Sequence, residues 1–344
     1  MKKWTVAFSV TLMIWTIGFA IPGESRKPTY PYSTYGEMRA EVGRLYQQQK
    51  LEELAALLEW GLNTFPDHME ANAFNLMLAY ARLQQWPKGI RVMKRALHNN
   101  IWFGKYAVRH PLLEGYKKET GFQKLLKKNS SLMTAAQKIS QPMLKIQKPE
   151  TLEANKKYPL FIALHGGGEN IDQFIPRWTS GKLKKTFFIA YPQSSQIISM
   201  NGYNWTEDIA LSLREIKTAY EQILSENPVD PEQVYVGGFS SGGVAALELV
   251  LKNVFPIRGF VVLCPAKPDN FSSSEVTAAR NRGVRGTLIT TEMDQRLVQQ
   301  REVIEIFRRE GLQYQFIVTP NIGHWYPPDL DIKIDRALDH IDNR

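Results

Sequence analysis

Short runs that are apolar on both faces recur through the second half of the chain. They are residues 159–164 (PLFIAL), 187–191 (FFIAY), 234–236 (VYV), 259–263 (GFVVL), 287–290 (TLIT) and 315–318 (QFIV). Runs of this length without alternation mark buried strands of a parallel sheet. Helical patterns lie between several of them. Ile209, Leu213, Ile216, Tyr220 and Ile223 recur at three- and four-residue spacing after Thr206, the expected N-cap, with Glu207 and Asp208 in the first turn. Val244 to Leu251 form an apolar helix, and Val298, Val303, Ile306 and Phe307 mark another. Strand–helix alternation predicts a doubly wound, mostly parallel α/β sheet over residues 140–344. In such sheets the working residues sit at the carboxyl ends of the strands.

The first half has a different period. Residues 36–102 read as amphipathic helices in pairs, and they are self-similar at a spacing of about 34. Leu45-Tyr46 corresponds to Ala79-Tyr80, Ala55 to Gly89, Leu58 to Val92 and Leu62 to Ala96. Turns fall at residues 48–50 and 84–87, small residues stand at the helix crossings, and Pro66 ends the second helix. This segment resembles two tetratricopeptide repeats, although the Trp and Leu expected in the first helix are poorly matched. The resemblance implies a groove for a protein partner. A purely structural platform is the competing reading, because two repeats need a neighbour to cap them. Residues 103–139 form a helical bridge between the two halves.

Before the helices, Lys2 and Lys3 precede an uncharged run from Trp4 to Ile21, which Pro22, Gly23, Glu24 and Ser25 break. Residues 1–23 have the layout of a secretory signal peptide, with Gly18 and Ala20 as the small pair before cleavage. An uncleaved membrane anchor is the alternative, since about 18 apolar residues just span a bilayer. Either reading puts the protein in a secreted, periplasmic or cell-envelope location.

Composition narrows the field. The chain has 344 residues, 23 of them Gly and 19 Pro, and a mean hydropathy of −0.31, which excludes collagen-like and polytopic membrane classes. A single cysteine, Cys264, excludes a disulfide framework and any multi-Cys metal site. The net charge of +9 comes from scattered lysines and arginines without an aromatic-interleaved basic motif, so nucleic acid is not an expected partner. No metal or cofactor constellation is read.

The chemistry lies at the strand ends. Gly238-Phe239-Ser240-Ser241-Gly242 follows the strand at 234–236 and opens the helix at 244–251. A G-x-S-x-G string between strand and helix is a nucleophile elbow. Its glycines let strand and helix approach, and its serine is projected above the sheet. Ser240 is the expected nucleophile, and the Ser241 N–H an oxyanion donor. A serine needs a base. His324, after the last strand, suits that role better than His68, His98, His110, His165 or His340. Asp294, just past the preceding strand, is the expected orienting acid, with Glu292 and Asp269 as rivals. His165-Gly166-Gly167-Gly168 ends an early strand, and Gly167, then Gly168, are the expected second oxyanion donors. Tyr203, Trp205 and Trp325 are candidates for lining the acyl site.

These residues in this order resemble the α/β-hydrolase superfamily. Pro192-Gln193, Trp205, Val229-Asp230-Pro231 and Gly-Phe-Ser are similar to the phospholipase/carboxylesterase and polyhydroxybutyrate-depolymerase-like secreted esterases. The hormone-sensitive-lipase group shares the HGGG string, but its elbow carries Asp-Ser-Ala where this chain has Phe239-Ser240-Ser241. The resemblance implies an acyl-enzyme mechanism on a small-molecule or lipid ester, without a cofactor. A serine peptidase on the same triad, similar to the dienelactone-hydrolase-like peptidases, and an exported binding module with a hydrolase-fold scaffold remain as alternatives.

Overall fold

The computed structural model describes residues 30–343; the expected leader at residues 1–23 lies outside them. Helices α1 (Tyr35–Gln47), α2 (Leu51–Thr64), α3 (Met69–Arg82) and α4 (Trp86–His98) pack in chain order, and α5 (Lys105–Val108) and α6 (Phe122–Ile139) complete the helical region. Thr34 caps α1 reciprocally with Glu37, whose N–H donates to Thr34 Oγ1 at 3.3 Å. One apolar stripe from each helix fills a common core: Leu54 and Leu58 from α2, Leu76 and Met77 from α3, Met93 and Leu97 from α4. Gly89 is required where α4 meets the bridge, because a Cβ there would stand 1.8 Å from Tyr116 Oη. That hydroxyl donates to the Met77 carbonyl at 2.7 Å.

The second region is built on strands β1 (Met143–Gln147), β2 (Tyr158–Leu164), β3 (Phe188–Gln193), β4 (Ile197–Ser199), β5 (Gly202–Tyr203), β6 (Val229–Phe239), β7 (Gly259–Leu263), β8 (Arg285–Thr291) and β9 (Gln313–Thr319). Its helices are α7 (Ile171–Phe174), α8 (Gly181–Thr186), α9 (Ile209–Glu226), α10 (Ser241–Lys252), α11 (Ser273–Asn281), α12 (Leu297–Glu310) and α13 (Leu330–Asp342). The main sheet has the order β1-β3-β2-β6-β7-β8-β9 and is parallel except for β1. Each central strand is buried on both faces. Phe260 and Val262 of β7 join the core beneath α9 to α12, and Val261 and Leu263 join the core beneath α7, α8 and α13. A mostly parallel seven-stranded sheet with flanking helices fits the α/β-hydrolase fold.

Two local expectations are corrected, and one edge strand is added. The cap of α9 is Asp208, whose Oδ1 accepts the Leu211 N–H at 2.9 Å; Thr206 lies outside the helix. The elbow strand starts at Val229. The edge strand β1 was not anticipated, because its five residues mix apolar and polar side chains and none of them is buried.

The two regions meet at the segment carrying β4 and β5. Ile197 and Met200 pack into the helical core. Gln137 of α6 brackets the segment, giving Nε2–H to the Ser195 carbonyl and taking the Ile197 N–H, both at 3.0 Å. Glu70 accepts the Met200 N–H at 3.2 Å, and Lys105 and Tyr106 both bond to Glu207. The helical region thus rests on the loop that borders the sheet's carboxyl edge. None of the described helices is long and apolar enough to cross a membrane.

Candidate active site

β6 delivers Ser240 into a turn that only close backbone contact can hold. Ser240 has φ 53° and ψ −112°, a conformation that L residues seldom adopt. A Cβ on Gly238 would lie 2.4 Å from the Leu164 carbonyl and 2.9 Å from the Gly242 carbonyl carbon. A Cβ on Gly242 would lie 2.2 Å from the Leu164 oxygen. Strand β2, the end of β6 and the start of α10 therefore touch along their backbones. The turn is also tied to β7, since the Ser240 N–H donates to the Leu263 carbonyl at 2.8 Å.

His324, in the loop after β9, places Nε2 2.9 Å from Ser240 Oγ, and its Nδ1 stands 3.0 Å from Asp294 Oδ2. Phe239 lies beneath the imidazole with ring centroids 5.0 Å apart. Of the rival acids, Asp269 is exposed, and Glu292 is spent on the Asn321 N–H at 3.0 Å. Burial alone would raise the Asp294 carboxyl. The Arg296 N–H, the His324 ring, the Gln300 amide and the Cys264 thiol outweigh it and hold the group below its ordinary value. Asp294 is therefore an acceptor for the His324 Nδ1–H, which leaves Nε2 as the unprotonated nitrogen facing Ser240.

Cys264 completes a cluster with Asp294 and His324 whose donor atoms lie within 4.8 Å of one another. Burial pushes its thiol up to about 12. Without a bound metal ion the thiol is a protonated neighbour of the carboxylate.

The expected oxyanion donors divide. The Gly167 and Ser241 N–H groups have no partner among the described residues. Their side-chain positions adjoin, since a Cβ on Gly167 would lie 3.3 Å from Ser241 Oγ. Gly168 is corrected: it takes φ +86° and gives its N–H to the Tyr203 carbonyl at 2.8 Å, so it braces the loop and cannot donate to a substrate. Trp205 is corrected too. It is fully buried, its Nε1–H donates to the His165 carbonyl at 3.1 Å, and it supports the glycine loop from below. Tyr203 acts on that loop through its backbone, and its half-buried ring sits edge-on to His165. Trp325 is 52% exposed beside His324, with the Arg177 guanidinium 4.9 Å from its ring centroid, and is the one expected lining residue open to solvent.

Four side chains were not singled out from the sequence. Arg296 gives Nη1–H to Ser240 Oγ at 2.8 Å. Gln300 donates to Asp294 Oδ2 at 3.1 Å. Glu169 accepts the Gly166 N–H at 2.9 Å and the Tyr326 hydroxyl at 2.7 Å, and pairs with Arg177. Asn204 packs against Gly167 and donates to Glu207 at 3.1 Å. Glu169 had a signal, as a charged residue directly after three glycines. The others had only proximity in sequence.

No family model matches the sequence, and no curated protein matches it. Among solved structures, the chain is similar to an uncharacterized protein from Bacillus cereus, at 23% identity over 90% of this chain and 99% of the other, with a TM-score of 0.50. The similarity runs through both regions and is one of fold. Weaker likenesses are to esterase PE8 (TM-score 0.48, 14% identity, 58% of this chain and 99% of that one) and to Arabidopsis thaliana SOBER1 (TM-score 0.44, 17% identity, 54% and 98%).

Proposed function

We propose that the chain is a serine hydrolase that cleaves carboxylic esters through an acyl-enzyme on Ser240. The observation that carries this reading is the continuous path from Asp294 through His324 to Ser240, at 3.0 and 2.9 Å, on a serine held at positive φ. Ser240 Oγ adds to the acyl carbon as its proton passes to His324 Nε2. The Gly167 and Ser241 N–H groups receive the oxyanion. Collapse breaks the bond to the alcohol, whose oxygen takes the proton back from His324. Water then repeats the sequence on the acyl-enzyme and releases the acid. Trp325 at the rim is the contact for the acyl chain. The basic, apolar start of the sequence supports action outside the cytoplasm, and the helical pairs serve as a platform that fixes the segment from Ser194 to Trp205.

The test is labelling with a fluorophosphonate, followed by turnover of short-chain nitrophenyl esters and of aminoacyl amides. Wild type is expected to label and to cleave the esters. Ser240→Ala is expected to lose labelling and at least about a thousandfold in kcat/KM. Equal labelling of the two proteins would remove the proposal. Preference for the amides would turn it into a peptidase.

A further inference from the structure

Arg296 is placed where a hydrolase of neutral esters has no use for a charge. It stands two residues past Asp294, and its backbone is fixed by its own N–H donating to Asp294 Oδ1 at 2.9 Å. From there the side chain turns into the site. Nη1 donates to Ser240 Oγ at 2.8 Å and lies 3.1 Å from His324 Nε2. These two atoms are its only side-chain hydrogen-bond partners among the described residues, and no carboxylate forms an ion pair with the guanidinium there. Arg177, close to the same rim, is by contrast paired with Glu169.

A guanidinium is charged at every working pH, and a half-buried cation without a counter-charge is costly. Its donors form a fork suited to carboxylate or phosphate oxygens, whereas a serine hydroxyl occupies only one of them. Position adds direction. The nitrogen that Arg296 touches is His324 Nε2, the atom that returns the proton to the departing alcohol. The guanidinium touches this atom as well as Ser240 Oγ, so an alcohol that takes its proton from Nε2 would depart beside it.

We propose that Arg296 selects esters whose alcohol portion carries an anionic oxygen group, a carboxylate or a phosphate, next to the scissile bond. This rests on Ser240 being the nucleophile of an ester hydrolase. Binding of the anion draws the guanidinium off Ser240 Oγ and His324 Nε2, which frees the hydroxyl to donate to its base. A neutral ester leaves the cation in place, competing for both atoms.

The experiment compares three acetates: 2-acetoxybenzoate, its neutral methyl ester and 2-acetoxyphenyl phosphate. kcat/KM is measured for wild type, Arg296→Met and Arg296→Lys at low and high salt, and corrected for uncatalysed hydrolysis. The ratio of an anionic to the neutral ester is expected to fall about tenfold or more in Arg296→Met, the size of one charge-assisted hydrogen bond. Arg296→Lys should keep part of the ratio, and salt should shrink it in wild type. The better of the two anionic esters identifies the anion as carboxylate or phosphate. An unchanged ratio in Arg296→Met overturns the proposal, as does an equal rise for all three esters, which would make Arg296 a plug. Wild type alone gives a second measurement: benzoate or phenyl phosphate should compete with the neutral ester where benzyl alcohol does not, and absence of competition also overturns it. Hydrolysis of the neutral ester that survives Ser240→Ala would instead remove the underlying reading.

Discussion

Gln300 Nε2 donates at 3.1 Å to Asp294 Oδ2, the same carboxylate oxygen that faces His324 Nδ1 at 3.0 Å. The Gln300 side chain is fully buried, also donates to the Pro265 carbonyl at 3.1 Å, and accepts the Thr290 hydroxyl. α12 thus sets the carboxylate angle from behind. Gln300→Leu would leave the Thr290 hydroxyl and the Pro265 carbonyl without this partner, at about 1–3 kcal/mol for each stranded group. We expect a lower Tm together with a fall of about tenfold in kcat, and little change in KM. A drop in Tm with kcat intact would show that Gln300 serves packing alone.

Gly242 tests the elbow. Any side chain there meets two backbone oxygens, Leu164 at 2.2 Å and His165 at 2.5 Å, which no rotamer change can relieve. Gly242→Ala is expected to cost more than about 3 kcal/mol or to prevent folding. Gly243 is roomier, its nearest such contact being the Gly238 oxygen at 3.1 Å, so Gly243→Ala should be milder. Urea unfolding of the two variants measures the order, and a reversal would mean that the backbone approach is looser than this geometry.

The sheet and the triad candidates were legible because their signals are local. Buried parallel strands are apolar on both faces, as in Phe161 beside Ile162, and the elbow needs glycines at fixed offsets from Ser240. The side chains that reach in from α12 and its N-cap were not legible. Arg296 and Gln300 stand in a polar stretch, DQRLVQQRE, that reads as an exposed helix face, and only the tertiary path of the chain turns them toward Ser240 and Asp294. Trp205 failed for a related reason. An aromatic near a glycine loop suits a pocket wall as well as a buried support, and its indole N–H bond to His165 decides between them. The helix cap moved from Thr206 to Asp208 because both are competent acceptors.

His165 opens the glycine loop and is fully buried. Its ring Nδ1 stands 2.8 Å from the Gly166 carbonyl, and Trp205 lies against it with centroids 4.9 Å apart. Burial lowers its pKa from 6.5 to about 4, partly offset by the Gly166 bond. Between those values the unfolded chain binds the proton that the folded one refuses. This contribution to stability is therefore intact above pH 6.5 and lost as pH falls toward 4. Chemical denaturation at pH 7 and pH 5 should show a larger loss for wild type than for His165→Gln. Equal losses would place the acid sensitivity elsewhere.

Glu70 works in the opposite sense, at the contact between the helices and the β4–β5 segment. Burial raises its carboxyl from 4.5 to about 7, against the pull of the Met200 N–H it accepts at 3.2 Å. Here the folded chain holds the proton more tightly than the unfolded one. The stabilisation is complete below pH 4.5 and declines as pH rises through about 7. Above that point an ionised Glu70 sits half-buried with no cation paired to it among the described residues. Glu70→Gln removes the titration and keeps an acceptor for Met200. The Tm of wild type minus that of Glu70→Gln should therefore decrease from pH 5 to pH 8. The same comparison for His165→Gln should move the other way below pH 6.5, so the two variants separate the opposing slopes. A wild-type minus Glu70→Gln difference that stays flat across this range would mean that Glu70 ionises as freely in the folded chain as in the unfolded one.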